Sequence, residues 1–171
     1  MAKKISLREF QETLVKRLTS AKAGETSRAL LGVQAGREHW LLDLADSGEI
    51  VPLIPLSGVP LTKPWFCGLA NIRGTLYSVV DFSAFQGGEP TPQNAESRLL
   101  LVGAKLGINS ALLVSRTLGL RSPEQLESGT TSHDARPWVG EQYTDAQGRQ
   151  WKKLNLRSLL SQPDFLNIGL S

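Results

Sequence analysis

A single cysteine, Cys67, in a chain of 171 residues excludes an intramolecular disulfide and points to a reducing compartment. His39 and His133 are the only imidazoles, and with one cysteine they cannot assemble a Cys/His zinc set. The sequence also lacks G-x-x-x-x-G-K followed by Ser or Thr, G-x-G-x-x-G after a strand, H-E-x-x-H and G-x-S-x-G. Cys67 as a nucleophile would need a base brought to it by folding, with His39 or His133 as the histidine candidates. Its neighbours Trp65, Phe66 and Leu69 favour a small buried hydrophobe instead. Asp43 and Asp46 lie near a turn and read as solvated carboxylates. The expectation is a protein without catalysis, metal or cofactor.

Long apolar runs are absent too. The greasiest region, Leu99 to Leu120, is broken by Lys105, Asn109 and Arg116, too polar for a lipid-exposed span of roughly 20 residues. Met1 to Lys22 carries charges throughout, unlike a secretory signal. A cytoplasmic protein is expected. The net charge of +3 and pI near 9.2 imply only weak attraction to acidic surfaces. The four tryptophans are dispersed and the basic residues form no single stripe, so a nucleic-acid-binding barrel is the lesser alternative.

What is present is periodicity. Ser6 to about Ser20 reads as a helix: Ser6 and Glu9 form a capping box, with Ile5 and Phe10 as its hydrophobic staple. Leu7, Phe10, Leu14 and Leu18 make one apolar stripe, suited to docking on the domain or to a detachable partner contact. Residues 1–24 are accordingly assigned to a helical extension and 25–166 to the main domain.

From Arg28 the pattern becomes that of strands. "ALLGVQAGREHWLLDL" is a hairpin about Ala35-Gly36-Arg37. "EIVPLIPLSGVPLTKPWF" has four prolines, which exclude a central strand, so it reads as an extended connection. Asp81 can cap a short helix stopped by Gly87-Gly88. "SRLLLVGAKLGINSALLVSRTLGLRSP" then repeats the strand, glycine turn, strand, strand order of the first unit, a weak internal duplication. Ser128 to Ala135 is a polar loop. A strand around Trp151 and a short helix, capped by Asn155 and ended by Pro163, close the chain. Short strands at this spacing indicate β-barrels, mainly β with helices at both ends.

The stretch "GLANIRGTLYSVVDF" is two apolar runs folded about Arg73-Gly74. It resembles the Gly-x-x-Asn-x-Arg-Gly to Val-x-Asp signature of the CheW family, adaptor proteins of bacterial chemosensory arrays. "GEIVPLIPLSGVPLTKPWFCG" is similar to the family's exit from its first barrel, and "NSALLVSRTLGLRSPEQLE" to its second-barrel segment. The resemblance runs from about Arg28 to Leu160. It implies two interlocked five-stranded SH3-like β-barrels and an adaptor bridging a CheA-type histidine kinase and the cytoplasmic tip of a methyl-accepting receptor. The N-terminal extension and the "LNLRSLLSQPDFLNIG" tail look most like the branch serving type IV pili and twitching motility.

The same resemblance implies the partner-binding residues. Arg73 offers a planar fork that holds a carboxylate bidentately, and the family-matched carboxylate is Glu49. The pair either ties the hairpin locally or also presents a binding surface. Asn71 and Gly74 belong to the same motif, with Gly74 free to take positive φ and make the turn. Gly68 matches a position where a side chain would crowd partner or backbone, or else a simple bulge. Ser47 stands where the family often has valine, with Gly48 following. Ser115 and Thr117 replace an aspartate and a valine in the second-barrel segment, which continues to Leu120.

Overall fold

The computed structural model describes residues 29–44, 48–102, 107–129 and 134–169. The expected N-terminal helix, with Ser47, Asp46 and His133, lies outside the described residues. The chain runs β1 (Leu30–Ala35), β2 (Glu38–Asp43), β3 (Ile50–Pro52), β4 (Phe66–Ile72), β5 (Thr75–Asp81) and the one-turn α1 (Phe82–Phe85). It continues through β6 (Arg98–Val102), β7 (Ser110–Val114), β8 (Arg116–Arg121) and β9 (Leu126–Ser128). The chain ends with β10 (Val139–Asp145), β11 (Gln150–Leu154), α2 (Leu156–Leu160) and α3 (Pro163–Leu166).

The two hairpin units predicted from sequence are β1-β2-β3 and β6-β7-β8, and each gives its third strand away. β3 pairs antiparallel with β6, and β8 pairs antiparallel with β1. The resulting sheets are ordered β3-β6-β7-β5-β4 and β8-β1-β2-β11-β10-β9. Position by position they match: β6 with β1, β7 with β2, β5 with β11, β4 with β10. Even the parallel contacts correspond, β5 on β7 and β11 on β2. These are the interlocked SH3-like barrels the resemblance implied, except that the second sheet has six strands. The extra strand is β9; the first sheet has only the Ser57–Leu69 bridge at the equivalent edge.

Burial on both faces explains the apolar runs. Along β7, Leu112 and Val114 enter the core between the barrels, while Ala111 and Leu113 fill the first barrel's interior. Along β1, Leu31 and Val33 face the shared core and Leu30 the second barrel. A strand covered on both faces reads as continuous hydrophobe rather than as alternation. The shared core also takes Trp40, Phe82, Leu156, Leu159, Leu160 and Phe165. No helix among the described residues is long and apolar enough to cross a membrane.

Local signals place the short helices. Asp81 Oδ1 accepts from the Ala84 amide at 3.2 Å and caps α1, and its carboxylate also accepts from the Thr91 amide at 2.7 Å and hydroxyl at 2.6 Å. The buried Asp81 thus ties the polar loop back onto the hairpin. Asn155 caps α2 by accepting from the Ser158 amide at 3.1 Å. Contrary to the sequence expectation, Pro163 does not end that helix; α2 closes at Ser161, and Pro163 opens α3, where its missing N–H costs nothing. Ser128 ends β9 rather than starting a loop.

Arg136 closes the seam where β2, the end of α1 and β11 meet. Its Nη1 donates to Glu38 and Gln86 at 2.8 and 2.7 Å, and its Nη2 to Glu38 and Asp134 at 2.8 and 2.6 Å. Nε completes the set on Asp134 at 2.8 Å, so all five N–H donors have acceptors. The guanidinium also lies 5.3 Å from the centre of the fully buried Trp40 ring. Lys152 adds contacts to Asp134 at 3.1 Å and Glu38 at 3.4 Å. Hydrogen bonds from Arg136 hold the Asp134 carboxyl well below its usual value of 3.8, and hold that of Glu38 below 4.5. Asp43, expected to be solvated, is bound instead by Lys153 Nζ at 3.0 Å.

The depressed carboxyls fix the sign of a pH dependence. A group whose folded pKa is lowered contributes stability above its unfolded pKa, and loses it as pH falls towards the folded value. Thermal melting should therefore weaken from about pH 5 downward as Glu38 and then Asp134 take up protons. Arg136→Gln should cost about 2 kcal/mol at pH 7, roughly 4–8 °C for a chain of this size. The gap between variant and parent should shrink towards pH 3. Parallel melting curves across that range would show that the carboxylates draw no stability from Arg136.

Candidate functional site

The β4–β5 hairpin projects from the first barrel. Ile72 pairs with Thr75, so the loop between them is just Arg73 and Gly74. Both take positive φ, 53° for Arg73 and 86° for Gly74, the signature of a type I′ turn. The sequence reading assigned the left-handed conformation to Gly74 alone. The hairpin twist demands it of both residues, and Arg73 adopts it at a cost of roughly 1–2 kcal/mol. Asn71 supports the turn, its Oδ1 accepting from the Gly74 amide at 2.9 Å.

The Arg73 guanidinium reaches back and donates to Glu49, forming the ion pair expected from the resemblance. Glu49 sits one residue before β3, and its position is set by the strand exchange. The Leu101 amide donates to the Glu49 carbonyl at 2.9 Å, and the Gly48 amide to the Leu101 carbonyl at 2.8 Å. A Cβ on Gly48 would lie 2.4 Å from the Leu101 carbonyl oxygen. Gly48 was not among the predicted site residues, although it positions Glu49; its adjacency to the acidic position was the available signal.

The pair is on the surface, with side-chain exposures of 70% for Arg73 and 43% for Glu49. Exposed ion pairs contribute about 0.2–1 kcal/mol. That is no more than the backbone cost at Arg73, so the arrangement does not stabilise the hairpin on balance. Leu76, opposite Asn71 across the strands, is 56% exposed on the same outward side.

Gly68 has a fully structural explanation. It sits in the β4 bulge with φ 124°, and an added Cβ would lie 2.3 Å from the Ser57 carbonyl oxygen. Of its two sequence readings, both bulge and backbone crowding hold. Thr117 and Leu120 lie on β8 in the other sheet, opposite Val33 and Leu31. Thr117 is half-buried and Leu120 is 57% exposed. No hydrogen bond or ion pair among the described residues joins them to the Glu49–Arg73 group, so the predicted site divides into two patches.

Cys67 is not placed for nucleophilic chemistry. Its polar neighbour is the Trp65 carbonyl, at 4.0 Å from Sγ. Burial, with the Asp81 charge adding to it, pushes the thiol up to about 11, leaving almost no thiolate near neutrality. His39 stands in the second barrel with its ring 5.4 Å from that of Trp151. Trp40 and Trp151 are fully buried, and Arg136, Lys152 and Lys153 are engaged by carboxylates.

Comparison with known proteins agrees with this geometry. A family profile, the CheW-like domain, matches residues 29–164. Protein PilI of Pseudomonas aeruginosa is 28% identical over 91 residues, which cover 53% of this chain and 51% of that protein. The chain thus matches about half the length of that curated relative. The crystal structure of scaffolding protein TtCheW from Thermoanaerobacter tengcongensis superposes with a TM-score of 0.66 at 18% identity, covering 81% of this chain and 95% of that one. That likeness is one of fold. With the profile spanning most of its length, the chain belongs to the CheW family, whose members are non-catalytic scaffold adaptors of chemosensory signalling.

Proposed function

We propose that this adaptor couples the cytoplasmic tip of a methyl-accepting chemoreceptor to the regulatory domain of a CheA-type histidine kinase. Its pathway controls type IV pilus twitching motility, and the protein is cytoplasmic, recruited to receptor arrays at the inner membrane. The similarity to PilI supports the pilus assignment. The observation that carries the binding role is the Arg73 turn: a left-handed arginine whose exposed ion pair does not offset its backbone cost. Strain that local contacts do not relieve points to a presented group.

In this reading Glu49, Asn71, Arg73 and Gly74 form one contact patch, with Gly68 shaping the strand beneath it. The family resemblance adds Ser47, which precedes Gly48 in the sequence, to the partner-binding set. Thr117 and Leu120 form a second patch on β8, fit for the other partner of a two-sided adaptor. Non-specific nucleic-acid binding is the outcome that would displace this reading, and it would show as a DNA shift collapsing steeply with salt.

Variants at the hairpin separate presentation from stability. Arg73→Ala should lower affinity for the purified kinase regulatory domain or a receptor-tip fragment roughly tenfold, with a melting shift of only a few degrees. Arg73→Asn should bind as weakly yet melt no lower than the parent, because asparagine tolerates the left-handed region. Normal binding of both partners by Arg73→Ala would move the adaptor surface elsewhere; outright unfolding would make the arginine a strut.

Gly48→Ala tests the positioning of Glu49 without touching either charge. The new methyl must push against the Leu101 carbonyl, so β3 shifts and Glu49 shifts with it. Binding should fall together with a loss of about 1–3 kcal/mol, the usual cost of overpacking. Unchanged melting and binding would mean that the β3 start is soft and does not set the carboxylate.

A further inference from the structure

Trp65, Phe85 and Trp138 line a cleft of about 300 Å³ between the barrels, edged by Lys63, Gln162 and Asp164. Trp65 and Phe85 meet edge to face at 5.0 Å, and Phe85 lies 5.4 Å from Trp138. Phe165 closes the floor, 5.4 Å from Phe85. The three aromatic rings that line the wall are half-buried, in contrast to the fully covered Trp40 and Trp151. At this volume the cleft holds one or two bulky side chains.

The chain preceding the described residues enters at β1, three strands from β10 in the order β1-β2-β11-β10, a separation of roughly 15 Å at ordinary strand spacing. Leu30 lies opposite Asp43, which Lys153 binds at 3.0 Å. Two residues further on, the Asn155 amide donates to the Trp138 carbonyl at 2.8 Å. From Ser20 to Ala29 the chain can reach about 30 Å when extended. Upstream stand Leu7, Phe10, Leu14 and Leu18 at helical spacing. A helix of this length is marginal in water by itself, so its apolar stripe needs a surface. Arg17 flanks that stripe, and Asp164 at the cleft rim is in no ion pair with another described residue.

We propose that the N-terminal segment, Leu7 to Leu18, folds back as a helix and seats Leu14 and Leu18 of its apolar stripe in this aromatic cleft, with Arg17 towards Asp164. The segment thereby covers an apolar surface that the barrels leave open between them. Its occupancy is intramolecular, so the short connection supplies a high effective concentration and a modest interface suffices.

Intrinsic fluorescence reads the cleft selectively, because Trp40 and Trp151 are fully buried and quencher reaches mainly Trp65 and Trp138. In the full-length chain, Leu14→Asp with Leu18→Asp should raise acrylamide quenching and shift emission to the red, while the barrels still melt cooperatively. Unchanged quenching and emission would overturn the proposal. Should that variant fail to fold, a spin label on Glu12→Cys in a Cys67→Ala chain leaves the stripe intact. It should broaden the indole resonances of Trp65 and Trp138 ahead of that of Trp151; equal or absent broadening refutes the docking. Cleft protection that disappears on dilution would assign the cleft to a second copy of the chain and sink the proposal.

Discussion

Everything else in the molecule is arranged around the exchange of third strands. β3 completes the sheet of the second hairpin unit and β8 that of the first, so neither unit can close without the other. The exchange obliges β1, β2, β6 and β7 to lie between two cores, which is why each carries consecutive buried apolar residues, such as Trp40-Leu41-Leu42 and Leu99-Leu100-Leu101. It also fixes where the surface chemistry can be. Glu49 is held at the crossing point itself, between the amide of Leu101 in the partner unit and the Gly48–Leu101 contact. A carboxylate anchored at a topological junction cannot wander with a loop, and the hairpin that answers it is rooted in the same sheet.

The two arginine–glutamate pairs show how burial divides labour between similar chemistries. Arg136 has a side-chain exposure of 24%, spends all five donors, and joins segments far apart in sequence. Removing it would leave partly desolvated carboxylates short of partners, so it belongs to the framework. Arg73 has an exposure of 70% and Glu49 as its acceptor, and its backbone is held in an unfavourable region. Water can replace its partner at small cost. One pair is expensive to break and silent; the other is cheap to break and accessible.

Local features were legible in the sequence and distant pairings were not. The caps at Asp81 and Asn155, the hairpin at Gly36-Arg37 and the turn at Arg73-Gly74 follow from a few adjacent residues. The duplication predicted two matching units, yet nothing in either unit's own pattern says that its third strand crosses over. β3 is three residues ending in Pro52, and its partner begins at Arg98. The Arg136 cluster was missed for the same reason, since its acceptors Glu38 and Gln86 come from other elements. Only the Asp134-x-Arg136 spacing, where the Arg136 amide donates to Asp134 at 3.0 Å, offered a local hint. Family resemblance supplied what local physics could not, the Glu49–Arg73 partnership across β3 and the hairpin.

The internal pseudo-symmetry sharpens the question of what makes the two barrels differ. The turn that corresponds to Arg73-Gly74 joins β10 to β11, and there Asp145 does the work that Asn71 does in the first barrel. Its Oδ1 accepts from the Gln147 and Arg149 amides at 3.0 and 2.9 Å, and its Oδ2 accepts from the Trp151 indole at 3.0 Å. These bonds lie within its own hairpin, two in the turn and one from β11, and they hold its pKa down. The second hairpin therefore satisfies itself, whereas the first sends its charge outward to meet Glu49. The two tips are equivalent by position, and they differ in that one is closed upon itself by Asp145 while the other is tied to Glu49.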